Sequence, residues 1–219
     1  NAAFDRGINF FDTSNCYGDG HSEVLIGKAF RDRRDQVVIA SKAGRENYTW
    51  NAFAATDIRK SLDGTLNRLG TDYLDVLQLH GPSLDDLKRD PQIIGVLRTL
   101  KSEGKIREYG ISVNSPEEGI EAINEFDSPV VQANLNLVDQ RAIQCGLMEL
   151  AEKKKTGLII RTPLCFGFLS GKVAADISFP ASDHRSRWSQ RQIEKWIEAS
   201  SLFVDTIQNR EQQTKAQIA

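Results

Sequence analysis

The chain has 219 residues, with 28 Lys and Arg against 30 Asp and Glu, for a formal net charge of −2. At 40% hydrophobic and 26% charged residues it has the proportions of a soluble globular domain with a sizeable core. The lack of a basic excess argues against nucleic-acid binding, and no apolar run approaches the roughly 20 residues that cross a bilayer. Residues 1–7 lack the basic start and apolar stretch of a signal peptide. The three cysteines, Cys16, Cys145 and Cys165, are odd in number and widely spaced, and read as reduced thiols of a cytoplasmic protein. Their spacing matches no zinc site, and His21 and His184 add no ligand cluster.

Strand-like and helical runs alternate along the chain. Residues 8–11 form an apolar strand, and 22–31 a helix with Ser22 as its cap. The Val-rich run 37–41 is a second strand. In the helix over 56–69, Ile58, Leu62, Leu66 and Leu69 share one face, Thr56 stands as a candidate cap, and Gly70 marks the stop. A third strand spans 73–79. The helix over 91–103 is stopped by Gly104, a fourth strand covers 109–112, and Pro116 opens a helix over 116–125. A fifth strand at 130–133, a helix at 145–155 and a sixth strand at 157–161 follow. Residues 172–190 read as a polar loop and 190–218 as a helix with a less regular apolar face.

Six strands separated by helices predict a parallel sheet with crossover helices. An open doubly wound sheet and a barrel both satisfy that pattern. Asp12, Lys42 and His80 each follow a strand directly, and Tyr17 lies on the loop after Asp12. Ionisable residues at consecutive strand ends favour the α/β TIM-type barrel, whose strand carboxyl ends share one cleft, over the open sheet, which gathers ligands where strand order reverses.

Gly7-Ile8-Asn9-Phe10-Phe11-Asp12-Thr13-Ser14-Asn15-Cys16-Tyr17-Gly18, running on through residues 22–29, resembles the aldo-keto reductase signature around its catalytic Asp and Tyr. Ile39-Ala40-Ser41-Lys42 resembles the strand carrying the family's Lys, and residues 69–80 the strand carrying its His. Residues 104–112, Pro163-Leu164 and 167–172 match later motifs in the family's order. The resemblance covers residues 1 to about 172. It implies a single barrel domain over 1–219 in which the six strands are the second to seventh of eight. The first and eighth strands, and the segment that grips the adenosine phosphate, are expected to lie outside this sequence.

The resemblance implies an NADP(H)-dependent oxidoreductase reducing a small-molecule aldehyde or ketone to an alcohol. A side chain cannot donate hydride, so a nicotinamide must. Tyr17 would supply the proton and Lys42 would lower its pKa. Asp12 would hold the ammonium, and His80 would orient the carbonyl oxygen. Ser112, Asn114 and Gln132 are implied around the nicotinamide carboxamide, although capping before Pro116 is the competing role for Ser112 and Asn114. Arg161 stands where many members stack an aromatic ring on the nicotinamide; a guanidinium can stack there too, or pair with a pyrophosphate or a substrate carboxylate. Thr162, Leu164, Gly167 and Lys172 are expected on the pyrophosphate side. Trp50 is a candidate wall of the substrate pocket, or a packing residue. His184, Arg185 and Arg187 hint at a sugar or anionic substrate. Some relatives serve as accessory subunits of potassium channels, so cofactor binding without turnover is the alternative function. Oligomeric state is open.

Overall fold

A computed structural model describes residues 1–46, 50–173, 177–206 and 213–219, with the side chains of 46, 50, 51 and 203–206 outside the description. Six strands form one parallel sheet: β1 (Phe10–Asp12), β2 (Val38–Ala43), β5 (Leu74–His80), β6 (Ile106–Ser112), β7 (Val130–Asn134) and β8 (Gly157–Arg161). A short antiparallel hairpin, β3 (Arg45–Glu46) and β4 (Trp50–Asn51), follows β2. The strands of the large sheet lie side by side in chain order, β1-β2-β5-β6-β7-β8. With no reversal point in that order, the sheet is the wall of a barrel and not a doubly wound sheet.

The crossover helices are α1 (His21–Phe30), α2 (Ala55–Leu69), α4 (Gln92–Ser102), α5 (Pro116–Phe126) and α7 (Leu147–Lys154). Gly70 is left-handed and its N–H closes α2 onto the Leu66 carbonyl, as its position predicts. The expected caps Ser22 and Thr56 lie inside their helices, which start one residue earlier, after Gly20 and Ala54. Ser115, and neither Ser112 nor Asn114, caps α5 by accepting from the Glu118 N–H. A short helix, α3 (Leu84–Arg89), escaped the sequence reading because it is a single burial step, Leu84 and Leu87. The helix expected over 145–155 is α7, and a short helix α6 (Arg141–Gln144) precedes it, parted from it by Gly146 at φ 84°. Strand β6 starts at Ile106, ahead of the expected 109, because Ile106 is buried while its next neighbour Arg107 faces water.

The core lies between the sheet and its helices. Ile39, Leu77, Leu79, Ile111 and Val131 meet Leu62, Leu69, Leu97, Leu100 and Ile123 there. Since strand side chains alternate, the positions between them point the other way, into the barrel: Asp12, Lys42, Gln78, His80, Ser112 and Gln132. Gly27 lies where α1 crosses α2, and a Cβ there would stand 2.4 Å from the Leu69 carbonyl oxygen, so the helices meet backbone to backbone.

Around this crossing Glu23 is fully buried. It accepts from Ser41 Oγ at 2.5 Å, Thr65 Oγ1 at 2.9 Å and Arg68 Nε at 2.6 Å, tying α1, β2 and α2 together. Arg68→Met strands this carboxylate and is expected to cost about 3 kcal/mol, the loss typical of breaking a buried ion pair from one side. The midpoint of urea unfolding measures it.

Candidate active site

Asp12 is the last residue of β1 and Lys42 sits one residue before the end of β2, so both lie within their strands and not just beyond them. Register pairs Asp12 with Ala40, which brings the two side chains to the same end of the sheet. Lys42 is fully buried. Its Nζ donates to Asp12 Oδ2 at 2.5 Å, to the Thr13 carbonyl at 2.8 Å and to Tyr17 Oη at 3.3 Å. The other carboxylate oxygen of Asp12 accepts from Gln78 Nε2 and Gln132 Nε2, each at 2.9 Å. Four strands therefore meet at one carboxylate. His80 closes β5, and its ring stands edge-on to that of Tyr17, with centroids 6.1 Å apart. Asp12, Tyr17, Lys42 and His80 thus converge, as their strand-end positions predict.

Burial dominates the electrostatics. It pushes the Tyr17 phenol up to about 12, with the Asp12 carboxylate adding to the rise and Arg161 and Arg45 opposing it. The net shift is thus upward, opposite in direction to the lowering expected from Lys42. Burial also draws the Lys42 ammonium below its ordinary range in spite of Asp12. His80 falls to about 3 through burial, then through Lys42, Arg45 and Arg161.

Ser112 Oγ donates to Gln132 Oε1 at 3.4 Å, and both side chains are buried beside Asp12. Gln78 Oε1, in the same cluster, is buried without a hydrogen-bond partner. Asn114 stays apart: it is exposed, and its side-chain oxygen lies over Gly81. Arg161 Nη2 donates to the Val113 carbonyl at 2.9 Å. After β8 the backbone turns sharply, with positive φ at Thr162, Cys165, Phe166 and Gly167. Thr162 Oγ1 donates to Asn134 Oδ1 at 3.0 Å, Leu164 leads into the turn at 165–170, and Lys172 is exposed. A hollow of about 560 Å³ opens beside this turn, lined by Asn134, Arg141, Thr162, Phe166 and Trp196. The Trp50 side chain lies outside the described residues.

Two basic residues of the 172–190 segment, His184 and Arg185, are engaged elsewhere. Arg185 grips Asp183 through Nε and Nη2, and His184 packs against Phe166 and Trp188. The described part of the segment is a loop, as expected, with one short turn at His184–Arg187. Trp188 meets Phe166 and Trp196 with centroids 4.6 Å apart in each pair, and Ile193 is buried among them. Sequence reasoning missed Ser14, Gln78 and Arg45. Only Gln78 carried a signal, two residues before His80 on the same face of β5.

Among the described residues no group of His, Cys, Asp and Glu could hold a metal ion, and no helix is long and apolar enough to cross a membrane.

A family model described as the aldo/keto reductase family matches residues 1–219. The aldo-keto reductase YhdN of Bacillus subtilis is 32% identical over 194 residues, covering 84% of this chain and 56% of the relative. The L-glyceraldehyde 3-phosphate reductase of Escherichia coli K12 is 31% identical over 198 residues, again 84% of this chain and 56% of the relative. Among solved structures, the glycerol dehydrogenase AKR11B4 from Gluconobacter oxydans superposes with a TM-score of 0.79 at 30% identity, over 98% of this chain and 68% of that one. The chain therefore spans little more than half the length of these two relatives.

His80 binds no proton in the folded chain until about pH 3, while the unfolded chain binds one below 6.5. Stability linked to this residue is full above pH 6.5 and is lost as the pH falls toward 3. Between pH 7 and 5 the wild type is expected to lose more unfolding free energy than His80→Gln, measured by denaturant titration at both values.

Proposed function

The chain belongs to the aldo/keto reductase family, and from that membership and the site's geometry we propose that it reduces an aldehyde or ketone to an alcohol, with NADP(H) as hydride source and Tyr17 as proton donor. The observation carrying this reading is the contact of Lys42 Nζ with both Asp12 and the Tyr17 oxygen inside a buried strand-end cluster. The E. coli relative named for L-glyceraldehyde 3-phosphate supports a sugar-sized carbonyl substrate.

The residues fit a nicotinamide. Its carboxamide needs both donors and acceptors, and Ser112, Gln132 and the unpartnered Gln78 Oε1 offer them together beside Asp12. Arg161 and Thr162 at the end of β8, with Leu164, Gly167 and Lys172 on the turn that follows, would hold the rest of the cofactor. When bound, the cofactor supplies the hydride that the carbonyl carbon accepts. Tyr17, held above the neutral range, is protonated at pH 7 and so is a proton donor, suited to reduction. As it gives its proton to the developing alkoxide, the phenolate left behind is stabilised by the ammonium 3.3 Å away. Asp12 opposes the burial that draws that ammonium toward losing its proton.

His80 works as a neutral imidazole. Its Nδ1 lies 3.2 Å from Ser14 Oγ, which leaves Nε2 for the substrate. For Nε2–H to donate to the carbonyl oxygen, Nδ1 must accept, and the Ser14 hydroxyl and, at 3.8 Å, the Cys16 thiol are the donors in reach. Asn15 Oδ1, 3.1 Å from the same hydroxyl, competes for it. A Ser14 hydroxyl turned from Asn15 to Nδ1 favours the productive tautomer.

Loss of NADPH absorbance with a panel of aldehydes and keto-sugars tests the reading. Tyr17→Phe is expected to lower kcat by about 10²–10⁴-fold while NADPH fluorescence still reports binding. A folded wild type that binds NADPH and turns over no carbonyl would favour the accessory-subunit alternative. Ser14→Ala is expected to lower kcat about tenfold, the worth of one hydrogen bond, and to shift the ring-nitrogen NMR signals of His80 toward the other tautomer. Unchanged signals would remove Ser14 from the mechanism.

A further inference from the structure

Gln78 is a fully buried amide on a strand of the barrel wall, where inward positions are mostly filled by branched apolar side chains. It is the Cα partner of Lys42 across β2 and β5, so the two side chains leave the sheet side by side on the same face. Its Nε2 donates to Asp12 Oδ1 at 2.9 Å, while its Oε1 is buried with no hydrogen-bond partner among the described residues. Turning the amide over would set that oxygen against the carboxylate, so the network fixes its orientation. Leaving a buried acceptor unpaired is unfavourable, and an apolar residue of the same size would avoid it. What an apolar residue could not supply is the bond to Asp12.

Asp12 needs a hold on that side. Its side chain is 27% exposed, whereas that of Lys42 is wholly buried, so the carboxylate is the member of the pair that can turn toward water. Oδ2 takes the ammonium at 2.5 Å, and Oδ1 stays in place only if donors keep it there. Gln132 Nε2 is one such donor at 2.9 Å, from an amide whose oxygen accepts from Ser112. Gln78 is the other, from the strand next to Lys42. Together they fix the carboxylate so that Oδ2 faces Nζ, and Nζ in turn lies 3.3 Å from Tyr17 Oη. Without Gln78, Oδ1 keeps a single donor and an open side toward water. The ammonium, which burial already draws toward losing its proton, then loses part of the support that Asp12 returns.

We infer that Gln78 is a positioning residue: it holds the Asp12 carboxylate against Lys42, so that a charged ammonium stands beside the Tyr17 oxygen when the phenol gives up its proton. This rests on the reductase reading above and adds one residue to the group that delivers the proton. The titratable groups facing Lys42 are Asp12, Cys16 and Tyr17 from β1 and its loop, His80 from β5 and Arg161 from β8. Gln78 is neutral, and replacing it changes none of their charges.

Gln78→Met keeps the length of the side chain and removes the donor; Gln78→Leu is the second variant should the first not fold. With a carbonyl that the wild type reduces, kcat at saturating NADPH is expected to fall about tenfold, the low end for a hydrogen bond to a charged group. Saturation removes any contribution from a contact of Oε1 with the nicotinamide carboxamide. The alkaline limb of the kcat profile, where Lys42 loses its proton, should move down by about one pH unit, the same factor expressed in protons. The sign follows from Asp12, which raises the proton affinity of Lys42; a carboxylate set loose raises it less. The carbon NMR signal of the Lys42 ε-methylene, assigned with Lys42→Met, titrates without substrate or cofactor and should show the same downward shift. A folded variant with an unmoved Lys42 titration, or with an unmoved kcat, overturns the inference. In the first case a lower kcat would mean that Gln78 acts through packing or the cofactor. A wild type that reduces nothing, while the Lys42 titration still shifts in Gln78→Met, overturns the reductase reading and leaves the hold on Asp12 standing.

Discussion

The site depends on one buried ion pair. A lysine with no exposed surface cannot stay charged alone, because removing an ammonium from water costs several kcal/mol. Asp12 compensates at 2.5 Å, and the Thr13 carbonyl and the Tyr17 oxygen take up the remaining directions of the ammonium. Asp12 is in turn saturated by two amides from β5 and β7. Each member is satisfied only because the others are present, so the position of the Tyr17 oxygen follows from the need to keep Lys42 paired.

The pair also simplifies the local field. Lys42 and Asp12 together carry no net charge, the imidazole is neutral, and the phenol is protonated. The phenol holds its proton until a carbonyl oxygen demands it.

The sheet and the four central residues were legible in the sequence for a physical reason. Strands buried on both faces read as short apolar runs, and a polar residue ending such a run has few places to go except the shared cleft. What resisted reading was two-body. Ser22 and Thr56 look like caps, but backbone geometry at Gly20 and Ala54 starts those helices. Ser14 matters through a contact with His80, 66 positions away, that no spacing along the chain reveals. The segment around Trp188 reads as a solvated loop because its aromatics are scattered among charges, and only the turn after β8 brings Phe166 beneath them.

The convergence on Asp12 has a kinetic side. Its partners lie 30, 66 and 120 positions away along the chain. Contacts of such separation close late, after local helices and neighbouring strands have formed. The carboxylate reaches its final state only when β7 docks against β6 and delivers Gln132. A signal from this cluster, such as the environment of the Tyr17 ring, would therefore report completion of the sheet rather than its nucleation. During folding, the chemistry would be the last thing the chain assembles.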